Sequence, residues 1–187
     1  MWVIILGYVV GSILGGHLYG RWSGQDLATS GSGNTGARNA LRIGGKRAFL
    51  FVYGFDVLKT VLVLSISGPY FFETGLALTL GHIYPMWHIR TGGKGYAVFS
   101  GIILAYSPLW FLAGLAMLLI LIKLTRNSRE TGLVMLMLLP LAAWGDATDV
   151  SVASLTMILI MYHHIRGETT CLNFEERRRG MRKRFID

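Results

Sequence analysis

The chain has 187 residues, of which 52% are hydrophobic and only 15% charged, and its mean hydropathy is +0.49. That balance excludes an ordinary soluble globular domain and suits a polytopic membrane protein. The net charge of +8 invites a nucleic-acid reading, but the basic residues lie between long apolar runs; the single cysteine, Cys171, excludes an internal disulfide.

The chain opens Met1-Trp2-Val3-Ile4-Ile5, without the basic start of a secretory signal, so the first apolar run reads as a retained span. A helical span needs ~20 apolar residues. Segments 1–20, 48–68 and 73–88 fit that length closely enough, and two longer runs follow, 96–124 and 132–163. Proline breaks a helical hydrogen-bond ladder, so Ser107-Pro108 predicts a turn within the first long run. Carboxylates are costly in mid-bilayer, so Trp144-Gly145-Asp146 and Asp149 predict a turn in the second. Splitting both runs gives an all-α, polytopic fold of seven transmembrane spans in a single domain, 1–187. Its N-terminus is outside, its C-terminus is cytoplasmic, and a basic cytoplasmic tail covers 165–187.

Charge placement supports that count. In the seven-span arrangement the loops 21–47, 88–95 and 123–131 and the tail hold five, two, three and seven Lys or Arg, which is 17 of the 18. All face the cytoplasm, as the positive-inside rule requires. With neither run split, a five-span alternative puts Lys123, Arg126 and Arg129 outside. The basic tail reads as a topology signal resting on anionic lipid, not as a nucleic-acid arm.

Two loops carry chemistry. The first, Ser30-Gly31-Ser32-Gly33-Asn34-Thr35-Gly36-Ala37-Arg38-Asn39, is rich in glycine and small polar residues. Glycines let successive N–H groups converge on an anion, and Arg38, Arg42, Lys46 and Arg47 follow. The second begins at Gly81-His82-Ile83-Tyr84-Pro85 and ends Thr91-Gly92-Gly93-Lys94-Gly95. Lys94 is a point charge suited to phosphate. His82 fits proton transfer, or equally the capping of a broken helix. Within the second span, Asp56 and Lys59 share a helical face and read as a mutual ion pair holding spans together. Ser12 reads as a packing residue, and Trp87, Trp110 and Trp144 as an interfacial belt. Two glycine-rich, cation-bearing loops at a membrane surface point to phosphate groups, and so to a lipid precursor as substrate.

These residues resemble the acyl-phosphate-dependent glycerol-3-phosphate acyltransferase family of bacteria. The similarity runs through 7–16 (GYVVGSILGG), 31–45 (GSGNTGARNALRIGG), 55–59 (FDVLK) and 81–95 (GHIYPMWHIRTGGKG). It implies seven spans with the N-terminus outside, in the cell membrane, with the active-site loops cytoplasmic. It implies transfer of an acyl group from acyl-phosphate to the 1-hydroxyl of glycerol 3-phosphate, giving lysophosphatidic acid and phosphate, without metal or cofactor. Matching positions make Ser32, Lys94 and His82 the catalytic candidates. Gly31, Gly33, Asn34, Gly36, Asn39, Arg42, Gly92, Gly93, Gly95 and His164 become the substrate-binding candidates. Two places depart from the family pattern: Arg38 replaces a usual threonine, and the segment from Tyr162-His163-His164 lacks an expected asparagine. A divergent member with another acceptor or no activity, and a small transporter of a phosphorylated solute, are the alternatives.

Overall fold

The computed structural model describes residues 1–87, 91–125, 136, 140–141 and 147–184, with side chains through Leu124 in the sixth helix and through Arg166 in the last. Among these residues the regular structure is helical, as the sequence predicts. The helices are α1 (Trp2–Gly11), α2 (Gly15–Ser23), α3 (Ala37–Leu64), α4 (Phe71–Ile83), α5 (Tyr96–Tyr106), α6 (Pro108–Thr125) and α7 (Ala147–Arg184). A 3-10 turn, Gly68–Tyr70, precedes α4.

The first predicted span is not one continuous helix. Trp2–Ser23 together is the one stretch among the described residues long and apolar enough to cross a bilayer. It nevertheless breaks between Gly11 and Gly15, where Leu14 is extended at φ −92° and ψ 129°. A break leaves carbonyls at one helix end and N–H groups at the other, and in an apolar interior each needs a partner. α3 supplies them. Lys59 Nζ donates to Gly11 O at 3.1 Å and to Ile13 O at 2.6 Å. Gly15 N donates to Asp56 Oδ1 at 3.2 Å. The cation meets the negative end of α1 and the carboxylate meets the positive end of α2, so both match the helix dipoles. The predicted pair also forms, with Lys59 Nζ 2.7 Å from Asp56 Oδ1.

Small residues bring α1 against α4. A Cβ at Gly11 would overlap the Leu78 carbonyl, and one at Gly81 would overlap that of Tyr8, so the two backbones touch as small-residue helix pairs do. Ser12 packs there as expected and also makes bonds: its Oγ donates to Tyr8 O at 2.9 Å and accepts from Met86 N at 3.2 Å.

Two further breaks position the loops. α3 kinks at Gly45, whose φ of 71° and ψ of −161° lie outside helical space and favour glycine. The kink separates a short piece next to the first loop from the main shaft. α5 ends where proline predicts a turn, with Ser107 extended at φ −158° before Pro108 opens α6. α4 and α5 have 13 and 11 residues, or about 20 Å and 16 Å, each well short of a ~30 Å hydrocarbon core.

The main core gathers Val3, Leu64, Phe72, Val98, Ile102 and Ile160. A second cluster, Tyr19, Leu27, Ala40, Ala48 and Val52, lies beside the first loop. Leu58, Leu62, Leu109, Leu119, Leu124 and Leu155 are exposed. Such an apolar exterior suits hydrocarbon better than water. Trp87 and Trp110 are also exposed. The predicted turn at 144–146, with Trp144, and the basic side chains of the tail beyond Arg166 lie outside the described residues, although the tail backbone is helical to Arg184.

Candidate active site

The first loop is organised by one side chain. Asn39, on the first turns of α3, is 2% exposed. The two N–H bonds of its Nδ2 are shared among Leu27 O at 3.0 Å, Ser30 O at 2.9 Å and Asn34 O at 2.8 Å. Its Oδ1 accepts from Ser32 N at 2.9 Å. An amide can donate and accept at once, so a single residue engages four backbone groups of an irregular segment. Gly31 has a φ of 62°, and a Cβ there would strike Asn39 Oδ1. Gly33 also has a positive φ, 72°. Asn34 closes the end of the loop by accepting from Gly36 N at 2.8 Å. The chain then enters α3 and reaches Arg42, which is exposed one turn beyond Asn39.

The second loop is held against α4. Gly93 N donates to His82 O at 2.9 Å. A Cβ at Gly92 would overlap the Ile83 carbonyl, and one at Gly93 would overlap the His82 ring. Lys94, half-buried, is thus carried by a backbone pressed onto the end of α4. Gly95, with a φ of 88°, then turns the chain into α5. Each glycine loop therefore runs into a helix N-terminus, the end that favours anions.

The two loops meet. Thr35 Oγ1 donates to Thr91 O at 3.1 Å, and Thr91 Oγ1 lies 3.2 Å from His17 Nε2 of α2. Gly16 sits at this junction, where a Cβ would overlap the Thr35 carbonyl. The middle of α7 comes to the same place. His164, 2% exposed, packs edge-on to Tyr96 at 5.1 Å, just past Lys94. His163 Nε2 lies 2.5 Å from Tyr84 Oη. The sequence therefore places Ser32, Arg42, Lys94 and His164 on segments that share one end of the bundle.

Two expectations look different in the structure. His82, a candidate for proton transfer, is 3% exposed. Its Nδ1 is 3.4 Å from Lys59 Nζ and 3.7 Å from Asp56 Oδ1. Asp56 and Lys59 are more than a mutual pair, because they also cap the broken first span. Residues passed over in the sequence are His17, Thr35 and Thr91. Thr35 lies inside the first glycine motif and could have been singled out there. Nothing in the spacing links it to a residue 56 positions away.

Fold and site together define a protein that is helical among its described residues, with an apolar exterior and two glycine-rich loops joined at one end of its bundle. The chain belongs to the glycerol-3-phosphate acyltransferase family, whose profile matches residues 1–172. A glycerol-3-phosphate acyltransferase of Pseudomonas paraeruginosa is 37% identical over 173 residues, covering 88% of this chain and 92% of that protein. One from Agrobacterium fabrum is 33% identical over 168 residues, covering 86% and 82%. The solved glycerol 3-phosphate form of PlsY (YgiH), an integral membrane glycerol 3-phosphate acyltransferase, superposes with a TM-score of 0.81 at 30% identity, covering 92% of this chain and 91% of that one. Its lysophosphatidic acid form gives 0.79 at 29%.

Proposed function

We propose that this protein transfers an acyl group from acyl-phosphate to the 1-hydroxyl of glycerol 3-phosphate. The observation that carries the reading is the Thr35–Thr91 hydrogen bond, which joins the two glycine loops into one anion-binding end. Both substrates are anions, and their mutual repulsion must be offset before the hydroxyl can reach the carbonyl. Arg42 and Lys94 supply the charge, and the loop amides supply directed donors. Acyl-phosphate is already activated, so binding and orientation are the main tasks. The hydroxyl oxygen forms the new ester bond as the carbonyl–phosphate bond breaks, and the departing phosphate takes the proton. Ser32, on the rim of the first loop, contributes to donor binding, and His164 lies on the acceptor side.

The same reading places the protein in the cell membrane with seven spans, its N-terminus outside and its loops and basic tail in the cytoplasm. Support comes from the charge pattern and from the apolar exterior. The transporter alternative is weakened by the broken first span. In transporters, the ends of interrupted helices hold the solute or coupling ion. Here Lys59 and Asp56 occupy those ends.

Purified protein in nanodiscs, given glycerol 3-phosphate with either acyl-phosphate or acyl-CoA, tests the reading. Lysophosphatidate and free phosphate should appear with acyl-phosphate. Lys94→Ala and Ser32→Ala should each lower the rate by about 100-fold or more, as loss of a charge-stabilising group does. No product above the Lys94→Ala background would overturn the acyltransferase reading, and product from acyl-CoA alone would overturn the donor assignment.

A further inference from the structure

The buried cluster of Asp56, Lys59 and His82 takes no part in the chemistry described above. It lies at the meeting point of four elements. Lys59 closes the end of α1, Asp56 closes the start of α2, both project from α3, and His82 projects from α4. Ammonium has three N–H bonds, and its three shortest contacts are Ile13 O at 2.6 Å, Asp56 Oδ1 at 2.7 Å and Gly11 O at 3.1 Å. The His82 ring fills the fourth side at 3.4 Å. An ammonium beside Nδ1 leaves the ring proton to Nε2. The opposite edge of the ring fills the space beside Gly93: a Cβ there would overlap Nε2 and come within 2.8 Å of Cδ2 and Cε1. The backbones cross the same point, with Gly93 N donating to His82 O.

We propose that His82 is a positioning residue and not the general base, a proposal that rests on the acyl-transfer reading. Its ring is a spacer between a fixed buried charge pair and the backbone that carries Lys94. The Asp56–Lys59 pair fixes one edge of the ring, and the other edge sets how far Gly93 can approach α4. Lys94 is the next residue, so its reach toward an anion depends on that spacing. The absence of a side chain at Gly93 follows directly, because the ring occupies the place a methyl would need. The same clasp ties the first loop to the second through α2, which Asp56 caps at its start and whose His17 meets Thr91.

The test is a double-mutant cycle between Gly93→Ala and His82→Asn, with kcat and KM measured against glycerol 3-phosphate. Asparagine keeps an acceptor near the position of Nδ1 and removes the far edge of the ring. Gly93→Ala alone should raise KM by about 10-fold or more, through displacement of Lys94. His82→Asn alone should keep kcat within about 10-fold of wild type, whereas loss of a general base removes ~100- to 10,000-fold. The double variant should bind acceptor better than Gly93→Ala, because the added methyl now has room. His82→Gln gives the counter-test: its longer amide reaches toward Gly93, so Gly93→Ala should remain impaired beside it. Losses that multiply in the His82→Asn double variant, or a kcat loss of about 100-fold with KM unchanged in His82→Asn, would overturn the proposal. Absence of lysophosphatidate from the wild type would instead sink the acyl-transfer reading, so the two failures are distinct.

Discussion

Asn39→Ala is expected to abolish most activity and to destabilise the protein by about 3 kcal/mol, at roughly 1 kcal/mol for each of the two N–H bonds the amide donates and the one it accepts. The side chain serves Leu27 O, Ser30 O, Asn34 O and Ser32 N. Alanine leaves these groups to rearrange or to find water, and the second core cluster, with Leu27 1% exposed, blocks water on one side. The loop must therefore change shape, and Ser32 moves with it. Asn39→Asp is the sharper control. It matches asparagine in shape but cannot donate, and it sets negative charge against three carbonyl oxygens. It should be no better than alanine. Thermal unfolding in detergent together with the acyl-transfer rate checks both variants. Near-normal activity in Asn39→Asp would show that the donated bonds do not shape the loop.

Lys59→Met is the second large effect, with an expected loss of ~3–5 kcal/mol. Methionine fills a similar volume but leaves Asp56 as an unpaired buried carboxylate and strips Gly11 O and Ile13 O of their donor. Removing one partner of a buried pair is worse than removing both. Asp56→Asn combined with Lys59→Met should therefore recover part of the loss, since the asparagine amide can still serve Gly15. Thermal melts of the two single variants and the double variant give the comparison. Equal stability of Lys59→Met and wild type would mean that the break in the first span is capped in some other way.

Much of the architecture was legible because it follows from solvent physics. Apolar runs predict helices, and Ser107-Pro108 predicts a break. The break in the first span was not legible. Ser12, Ile13 and Leu14 are neither glycine nor proline, and nothing local forbids a helix there. The cause lies 41 to 48 positions away, in Asp56 and Lys59 on α3. The sequence showed those two as a pair on one face, but it could not show that the pair faces two broken helix ends. The candidate site divides in the same way. Glycine and cation composition marked Ser32, Arg42 and Lys94, whose candidacy rests on residue type in or beside a loop. Thr35, Thr91 and His17 were missed because their role comes from contacts between distant segments. His82 was marked for the chemistry an imidazole can perform, while its burial between Lys59 and Gly93 points to spacing.

The central claim is that Arg42, just beyond the first glycine loop, and Lys94, in the second, serve one acceptor site. Titration of glycerol 3-phosphate into protein in nanodiscs, by calorimetry without acyl donor, tests it most directly. Each bidentate or charge-assisted phosphate contact is worth ~1.5–3 kcal/mol, so Arg42→Ala and Lys94→Ala should each weaken binding by about 10-fold or more. Binding that depends on one of these residues and is indifferent to the other would contradict a shared site.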